Sequence, residues 1–289
     1  MRVLITGAHG QLGRDLTAAL GEGPGRTEVV AADRSRLDVS DRGAVLQAMT
    51  GIRPSVVFHA AAWTAVDACE GDADRAFQVN ALGSRHVAEG AALVDAHLVY
   101  VSTDYVFDGA AAGPYREWDP TNPMSVYGRS KLGGEREVQA LRPGATIVRT
   151  SWLCGAHGAN MAKTVLRMAD QFPTLRFVDD QRGCPTFTED LAPMILRLAG
   201  ARLPGVFHVT NQGETTWYRF ARDVLTAAGH DPDRVEPIAT SDLVPPRAAP
   251  RPANSVLDNA ALRYLGLPLL DDHHVPLERL VKAIGWSRQ

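Results

Sequence analysis

Short apolar runs recur through the first half of this chain, and each is followed by a stretch with helical spacing. Arg2–Thr6, Glu28–Ala32, Ser55–Phe58, His97–Ser102 and Ala145–Arg149 read as buried strands. Between them, Gln11–Leu20 carries Leu12, Leu16 and Leu20 at intervals of one helical turn, and Ser40–Met49, Asp74–Val94 and Val126–Leu141 also read as helices. Ser40 or Asp41 is the expected cap of the second helix. Strands that alternate with helices on short connections pair in parallel, and such a sheet must be covered on both faces.

The expected fold class is therefore α/β, a doubly wound, Rossmann-like parallel sheet over residues 1–150. A smaller C-terminal substrate lobe takes up most of 151–289, with about 186–210 returning to the first domain. After Ser151 the pattern loosens, and Leu243–Pro252 is rich in proline and reads as loop. Ligands of such sheets bind outside the carboxyl ends of the strands, so the lobe is expected over that edge.

The composition excludes several classes. With 45% hydrophobic and 22% charged residues and a net charge of −3, the chain has the make-up of a globular protein. No basic tract points to nucleic acid and no polybasic amphipathic stretch to a membrane surface. The apolar run after Arg2 stops at Gly7, too short for a signal peptide, and no run of about 18 apolar residues follows. Cys69, Cys154 and Cys184 lie far apart; they read as small core residues and fit a reducing, cytoplasmic setting.

The segment Thr6-Gly7-Ala8-His9-Gly10-Gln11-Leu12-Gly13 follows a strand and opens a helix. Gly7, Gly10 and Gly13 let backbone approach a pyrophosphate, whose charge is favoured at the helix N-terminus. Asp33 ends the second strand about 20 residues further on, where a carboxylate accepts bonds from an adenosine ribose. Arg34 beside it suits a 2′-phosphate, so NADH and NADPH both stay open. Asp38 and Val39 are expected beside the adenine. Ala60, Ala61, Ala62 and Trp63 follow the third strand, and the small alanines at its end are expected to let the ribose and phosphates of a dinucleotide pass.

Tyr127 and Lys131 stand four apart, on one face of a helix. An ammonium there is expected to pull the phenol below its free pKa of about 10 and make it a usable proton donor, with hydride coming from a nicotinamide. Thr103, after the fourth strand, is expected to hydrogen-bond the carbonyl being reduced, and Asp104 to orient a sugar hydroxyl or adjust the tyrosine. Arg251, in the late loop with Arg247, is the candidate for a substrate diphosphate. No metal-ligand spacing surrounds His9, His59 or His208, which read as core or loop residues, and His273–His274 reads as a solvated loop. Asn80, inside a helical pattern, is expected to bond backbone locally.

Glycine turn, strand-end threonine and Tyr-x-x-x-Lys in this order resemble the extended short-chain dehydrogenase/reductase family. Ser102–Gly109 (STDYVFDG), Val126–Leu132, Asp179–Thr186 and Arg251–Asp258 look like its dTDP-4-dehydrorhamnose reductase branch, and the similarity runs nearly end to end. The resemblance implies NAD(P)H-dependent reduction of the 4-keto group of a dTDP-6-deoxy-4-ketohexose. It implies Tyr127 as proton donor, Lys131 on the nicotinamide ribose and Thr103 assisting. Cofactor contacts are implied for Gly10, Gln11, Leu12, Asp33, Asp38, Val39 and Ala61 to Trp63, and substrate contacts for Thr103, Asp104 and Trp152. Trp63, Met161 and His59 depart from residues usual in that branch. Some members use Mg²⁺ at a dimer contact; no ligand cluster in this sequence points to one, and a homodimer is left open. A related reductase of antibiotic sugar pathways, of the dihydrostreptose type, is an alternative. So is a non-catalytic chain like the methionine adenosyltransferase regulatory subunit, against which the intact Thr103, Tyr127 and Lys131 argue.

Overall fold

The computed structural model describes residues 1–21 and 27–286. Among these, β1 (Arg2–Thr6), β2 (Glu28–Ala32), β3 (Val56–His59), β4 (His97–Thr103), β5 (Thr146–Thr150) and a strand at Gly205–His208 form one sheet. Its order is β2-β1-β3-β4-β5 and then Gly205–His208, and every pairing is parallel. The winding direction reverses between β1 and β3, which opens a crevice at their carboxyl ends.

Alternation along the buried strands sends residues to two cores. Val3, Ile5, Val56, Phe58 and Val99 pack with α1 (Gln11–Gly21), α8 (Thr188–Gly200) and Leu262 of the short α10 (Ala260–Tyr264) on one face. Leu4, Val57, Leu98, Tyr100 and Ile147 pack on the other face with α2 (Arg42–Ile52), α5 (Gly83–Leu93) and α6 (Val126–Leu141). Asp41 caps α2 by accepting from Ala44 N at 3.0 Å. A third core joins α7 (Met161–Gln171), α9 (Trp217–Ala227) and α11 (His274–Ala283) around Leu166, Phe177, Phe220, Val224 and Leu280. The parallel strands Leu175–Val178 and Val235–Ile238 complete this smaller lobe. No described helix is long and apolar enough to cross a membrane.

The single helix expected over Asp74–Val94 is interrupted. Short helices α3 (Val66–Gly71) and α4 (Ala73–Phe77) lead into a π-turn at Gln78–Leu82 before α5 begins. A π-turn inserts a residue and re-aims a side chain. Here it turns Asn80 inward, where Oδ1 accepts from Trp63 N (2.8 Å) and Nδ2 donates to Trp63 O (3.1 Å) and to Ser130 Oγ (3.0 Å). Asn80 thus ties the loop after β3 to α6 rather than bonding its own helix.

α6 is anchored by a buried ion pair. Arg149 on β5 donates from Nε and Nη2 to the two oxygens of Glu135 on α6, at 2.9 and 2.7 Å, and Ser102 on β4 donates to the same carboxylate. Both charged side chains are almost wholly enclosed. Gly134 beside them lets the helix touch the sheet, for a Cβ there would stand 2.3 Å from Tyr100 Oη. Removing one partner of such a pair strands a buried charge. Arg149→Met is therefore expected to lower stability by about 3–5 kcal/mol, read by urea unfolding, with partial recovery in Arg149→Met/Glu135→Leu. A single variant that unfolds at the wild-type urea concentration would remove the pair as the anchor.

Candidate active site

The crevice at the β1/β3 reversal is a cleft of about 430 Å³. Gly7, Gly10, Gln11, Leu12, Gly13, Asp33, Asp38, Val39, Ala61, Ala62, Trp63, Tyr127 and Lys131 all line it. Gly7 has φ +71°, and a Cβ on it would lie 2.7 Å from Ala61 N; a Cβ on Gly13 would lie 2.3 Å from Gly7 O. These two positions allow the turn to form and α1 to close on it. At Gly10 the only close atom is Gly7 O at 3.3 Å, so the bare backbone there faces open space. That is the cradle a pyrophosphate requires, and the residues present fit a dinucleotide.

At the far end of the cleft, Asp33 accepts from Ser35 Oγ (2.7 Å) and Arg36 N (3.1 Å), and His9 Nδ1 lies 2.7 Å from its other oxygen. These bonds, that from Ser35 foremost, hold its carboxyl below the usual range. Arg34 donates to Asp38 at 3.2 Å. His9 is exposed on the glycine turn and Arg75 lies 4.4 Å over the Trp63 ring; both line the cleft, and neither was among the residues picked out as ligand contacts. His9 comes with the glycine turn itself; Arg75 is brought there only by the fold.

Ser125 caps α6 by accepting from Gly128 N at 3.1 Å, which starts the helix just before Tyr127. Both members of the Tyr-Lys pair are buried. The expected acidification of the phenol is not found. Burial pushes Tyr127 well up, and Asp104 and Tyr105 push the same way; only a hydrogen bond with Thr103 opposes them. The reason is that the Lys131 ammonium is engaged elsewhere. Its Nζ donates to Val101 O at 2.7 Å and lies 4.2 Å over the Tyr100 ring. Burial draws Lys131 down to about 7, while Glu135, one turn further along α6, holds it up. Tyr127, Lys131 and Glu135 recur at intervals of four, and that recurrence was the available sequence signal for Glu135.

Thr103, Asp104, Trp152 and Arg251, the residues expected to touch substrate, are not among those that line the cleft. Thr103 Oγ1 donates to Asp104 Oδ1 at 3.0 Å and accepts from Tyr105 N. Asp104 is buried, its Oδ2 has no partner, and burial pushes its carboxyl up to about 6. Trp152 has φ +46° and is stacked on Trp217 with ring centroids 3.4 Å apart, so no more than one ring face is left for a ligand. Arg251 is not free for a diphosphate. It grips Asp67 on α3 with both terminal nitrogens, at 2.8 Å from Nη2, and donates to Ala249 O at 2.7 Å. That grip holds Asp67 down to about 2. Tyr105, which Arg251 also hydrogen-bonds, meets Tyr127 edge-on at 5.7 Å.

The remaining histidines divide. His59 is buried between Thr6 Oγ1 (2.7 Å) and Ser84 Oγ (3.1 Å), and burial draws it down to about 3. His208 is buried against the carbonyls of Tyr115 and Asp258. His273 is not in a solvated loop; it is buried at the start of α11, because the Gln212 and Asp271 backbones bond across and carry it inward.

The family described as RmlD substrate binding domain matches residues 1–284. A protein of Streptomyces griseus named dTDP-4-dehydrorhamnose reductase is 44% identical over 272 residues, 92% of this chain and 88% of that one. A crystal structure of a dTDP-4-dehydrorhamnose reductase from Clostridium acetobutylicum superposes with a TM-score of 0.95 at 40% identity, covering 99% of this chain and all of the other. A second, from Bacillus anthracis in complex with NADP, gives 0.93 at 38% identity, covering 97% and 98%.

Lowering of Lys131 means that its ammonium persists only below about neutral pH. If the cation is the working form, kcat/KM for NADH, which reports the free enzyme, falls as pH rises through about 7. Lys131→Arg, charged throughout, is expected to carry that fall to higher pH. A wild-type profile flat across neutrality would show that the titration of Lys131 does not govern cofactor capture.

Proposed function

The chain belongs to the RmlD substrate binding domain family, and on that premise we propose that it is an NAD(P)H-dependent 4-ketoreductase of a dTDP-6-deoxy-4-ketohexose, with dTDP-4-dehydro-L-rhamnose as the substrate and dTDP-L-rhamnose as the product. The observation that carries this reading is the shared cleft: the glycine turn, Tyr127 and Lys131 line one crevice at the reversal of the sheet. In this proposal residues 1–150 with 186–210 hold the cofactor, and the rest of 151–289 covers the sugar. The substrate is a soluble nucleotide sugar and all three thiols are buried and unpaired, which suits a cytoplasmic reaction.

A bound NADPH or NADH supplies the hydride that reduces the sugar C4. Every other task falls to side chains. Gly7, Gly10 and the α1 N-terminus hold the pyrophosphate, and Asp33 holds the adenosine ribose. Lys131, anchored on Val101 O, is positioned for the nicotinamide ribose. Tyr127 donates to the C4 oxygen, and Thr103 joins it when its hydroxyl turns from Asp104 Oδ1 to the sugar. As negative charge develops on that oxygen, Tyr127 passes it the phenolic proton. The upward push on Tyr127 keeps the phenol protonated at neutral pH, so the donor is loaded before the sugar arrives. Asp104, with one oxygen unpartnered, is available to a sugar hydroxyl. Arg251 acts through the Asp67 grip and Tyr105, as a positioning residue that fixes the late loop beside Tyr127.

The assay is loss of reduced-nicotinamide absorbance across a panel of 4-keto sugar nucleotides, with each cofactor. Consumption confined to the 4-keto dTDP-sugars is expected; none with any of them would end this assignment. Tyr127→Phe is expected to reduce turnover by a factor on the order of 10² or more, with little change in cofactor Kd, since general acid help is worth about that much. Arg251→Ala is expected to raise KM for the sugar nucleotide and to lower the melting temperature together; a KM effect without any loss of stability would return Arg251 to direct diphosphate binding.

A further inference from the structure

A second cluster of chemistry-bearing side chains sits in the smaller lobe, away from the cleft. Asp223 on α9 faces His273 and His274 at the start of α11, and none of the three lines the cleft. Asp223 Oδ2 lies 3.5 Å from His273 Nε2 and 3.5 Å from His274 Nε2. Both separations are long for an imidazole–carboxylate hydrogen bond, which prefers about 2.7–3.2 Å. These two separations are close to the edge of a tetrahedron, since donors bound to zinc at about 2.0–2.1 Å stand about 3.4 Å from one another; all three donor atoms lie within 4.8 Å of one another. The two imidazoles are stacked, with centroids 4.1 Å apart, so binding one tetrahedral ion through both Nε2 atoms requires the exposed His274 ring to swing away from His273.

The other ring nitrogens are already provided for. His274 Nδ1 is 2.6 Å from Asp272 Oδ1, and His273 Nδ1 is 3.3 Å from Gln212 O. In the neutral tautomers with the proton on Nδ1, Asp272 and the Gln212 carbonyl accept from the two rings and both Nε2 lone pairs are left for a ligand; such outer partners are the ones metal-bound histidines use. The frame is built to bring them there. The His274 backbone N–H holds Asp272 at 3.1 Å, and His273 is buried. Gly213 has φ +89°, and a Cβ on it would lie 2.8 Å from both Asp272 Oδ2 and His273 Nδ1. Only glycine leaves room for the pair.

We propose that Asp223, His273 and His274 bind one divalent cation of the zinc class, with the remaining positions taken by water. Two nitrogens and one carboxylate oxygen suit Zn²⁺, Co²⁺ or Ni²⁺ and are a poor set for Mg²⁺, which takes oxygen. His274 is exposed, so the ion enters from solvent. A cation there cross-links α9 to α11, two of the three helices of the lobe's core, and acts on stability rather than on hydride transfer.

The test uses the full chain without a histidine tag, stripped by chelator. Calorimetric titration with Zn²⁺ is expected to give one site per chain, a rise in melting temperature, and no such rise with Mg²⁺. Co²⁺ is expected to give a visible ligand-field band. Asp223→Asn and the exposed His274→Ala, checked for folding by circular dichroism, are expected to lose the site and the band. Asp272→Asn, which alters the partner of His274 Nδ1, is expected to weaken binding by about 10- to 100-fold. Absence of one-to-one binding, or binding equally tight in Asp223→Asn and His274→Ala, would overturn the proposal and leave the trio as an ordinary ion-paired helix start.

Discussion

Much of this protein's geometry is suspended from the charge pair between Glu135 and Arg149. The pair joins α6 to β5, and Ser102 ties the same carboxylate to β4. A helix lying on a sheet through apolar contacts alone can roll, because hydrophobic burial is not directional. A bidentate guanidinium–carboxylate pair has a fixed plane and distance. Set in the interior, it prescribes which face of α6 looks toward the carboxyl edge. Tyr127 and Lys131 lie on that face, two turns and one turn before Glu135, so their aim into the cleft follows from an interaction beneath them.

The cleft itself is a product of close approach. Gly7, Gly13, Gly128 and Gly134 each stand where a Cβ would meet backbone or a buried hydroxyl at under 3 Å. Gly7 packs directly on the Ala60–Ala61 backbone, and beside that contact lies the cleft of about 430 Å³. Asn80, carried inward by the π-turn, secures Trp63 on the opposite rim. The two rims are thus held by different means, steric exclusion on one and side-chain hydrogen bonds on the other.

Electrostatics in this pocket run against the simplest account of a tyrosine next to a lysine. Spacing of four puts the two on one face of α6, but it does not put the ammonium against the phenol. Lys131 spends its charge on the Val101 carbonyl and the Tyr100 ring. Burial then acts on each group separately and disfavours each charged form: the phenol keeps its proton more firmly and the amine gives its proton up more readily.

Local sequence determined the parallel α/β framework, the glycine turn, the Asp33 position and the Tyr-Lys helix. Each rests on short-range rules: short apolar runs or helical spacing, turn chemistry, and small residues where backbone must pass. What the tertiary structure alone decided are the encounters between distant residues. Arg251 gripping Asp67, His9 on Asp33, Trp152 stacked on Trp217, and Asp223 facing His273 and His274 join positions that no periodicity relates. An arginine in a late loop reads equally well as phosphate ligand or as ion-pair partner, and two adjacent histidines read as a wet loop until backbone bonds from Gln212 and Asp271 draw one of them inside. Charge and hydrogen-bond partners are chosen by proximity in space, and proximity is set only when the chain has closed.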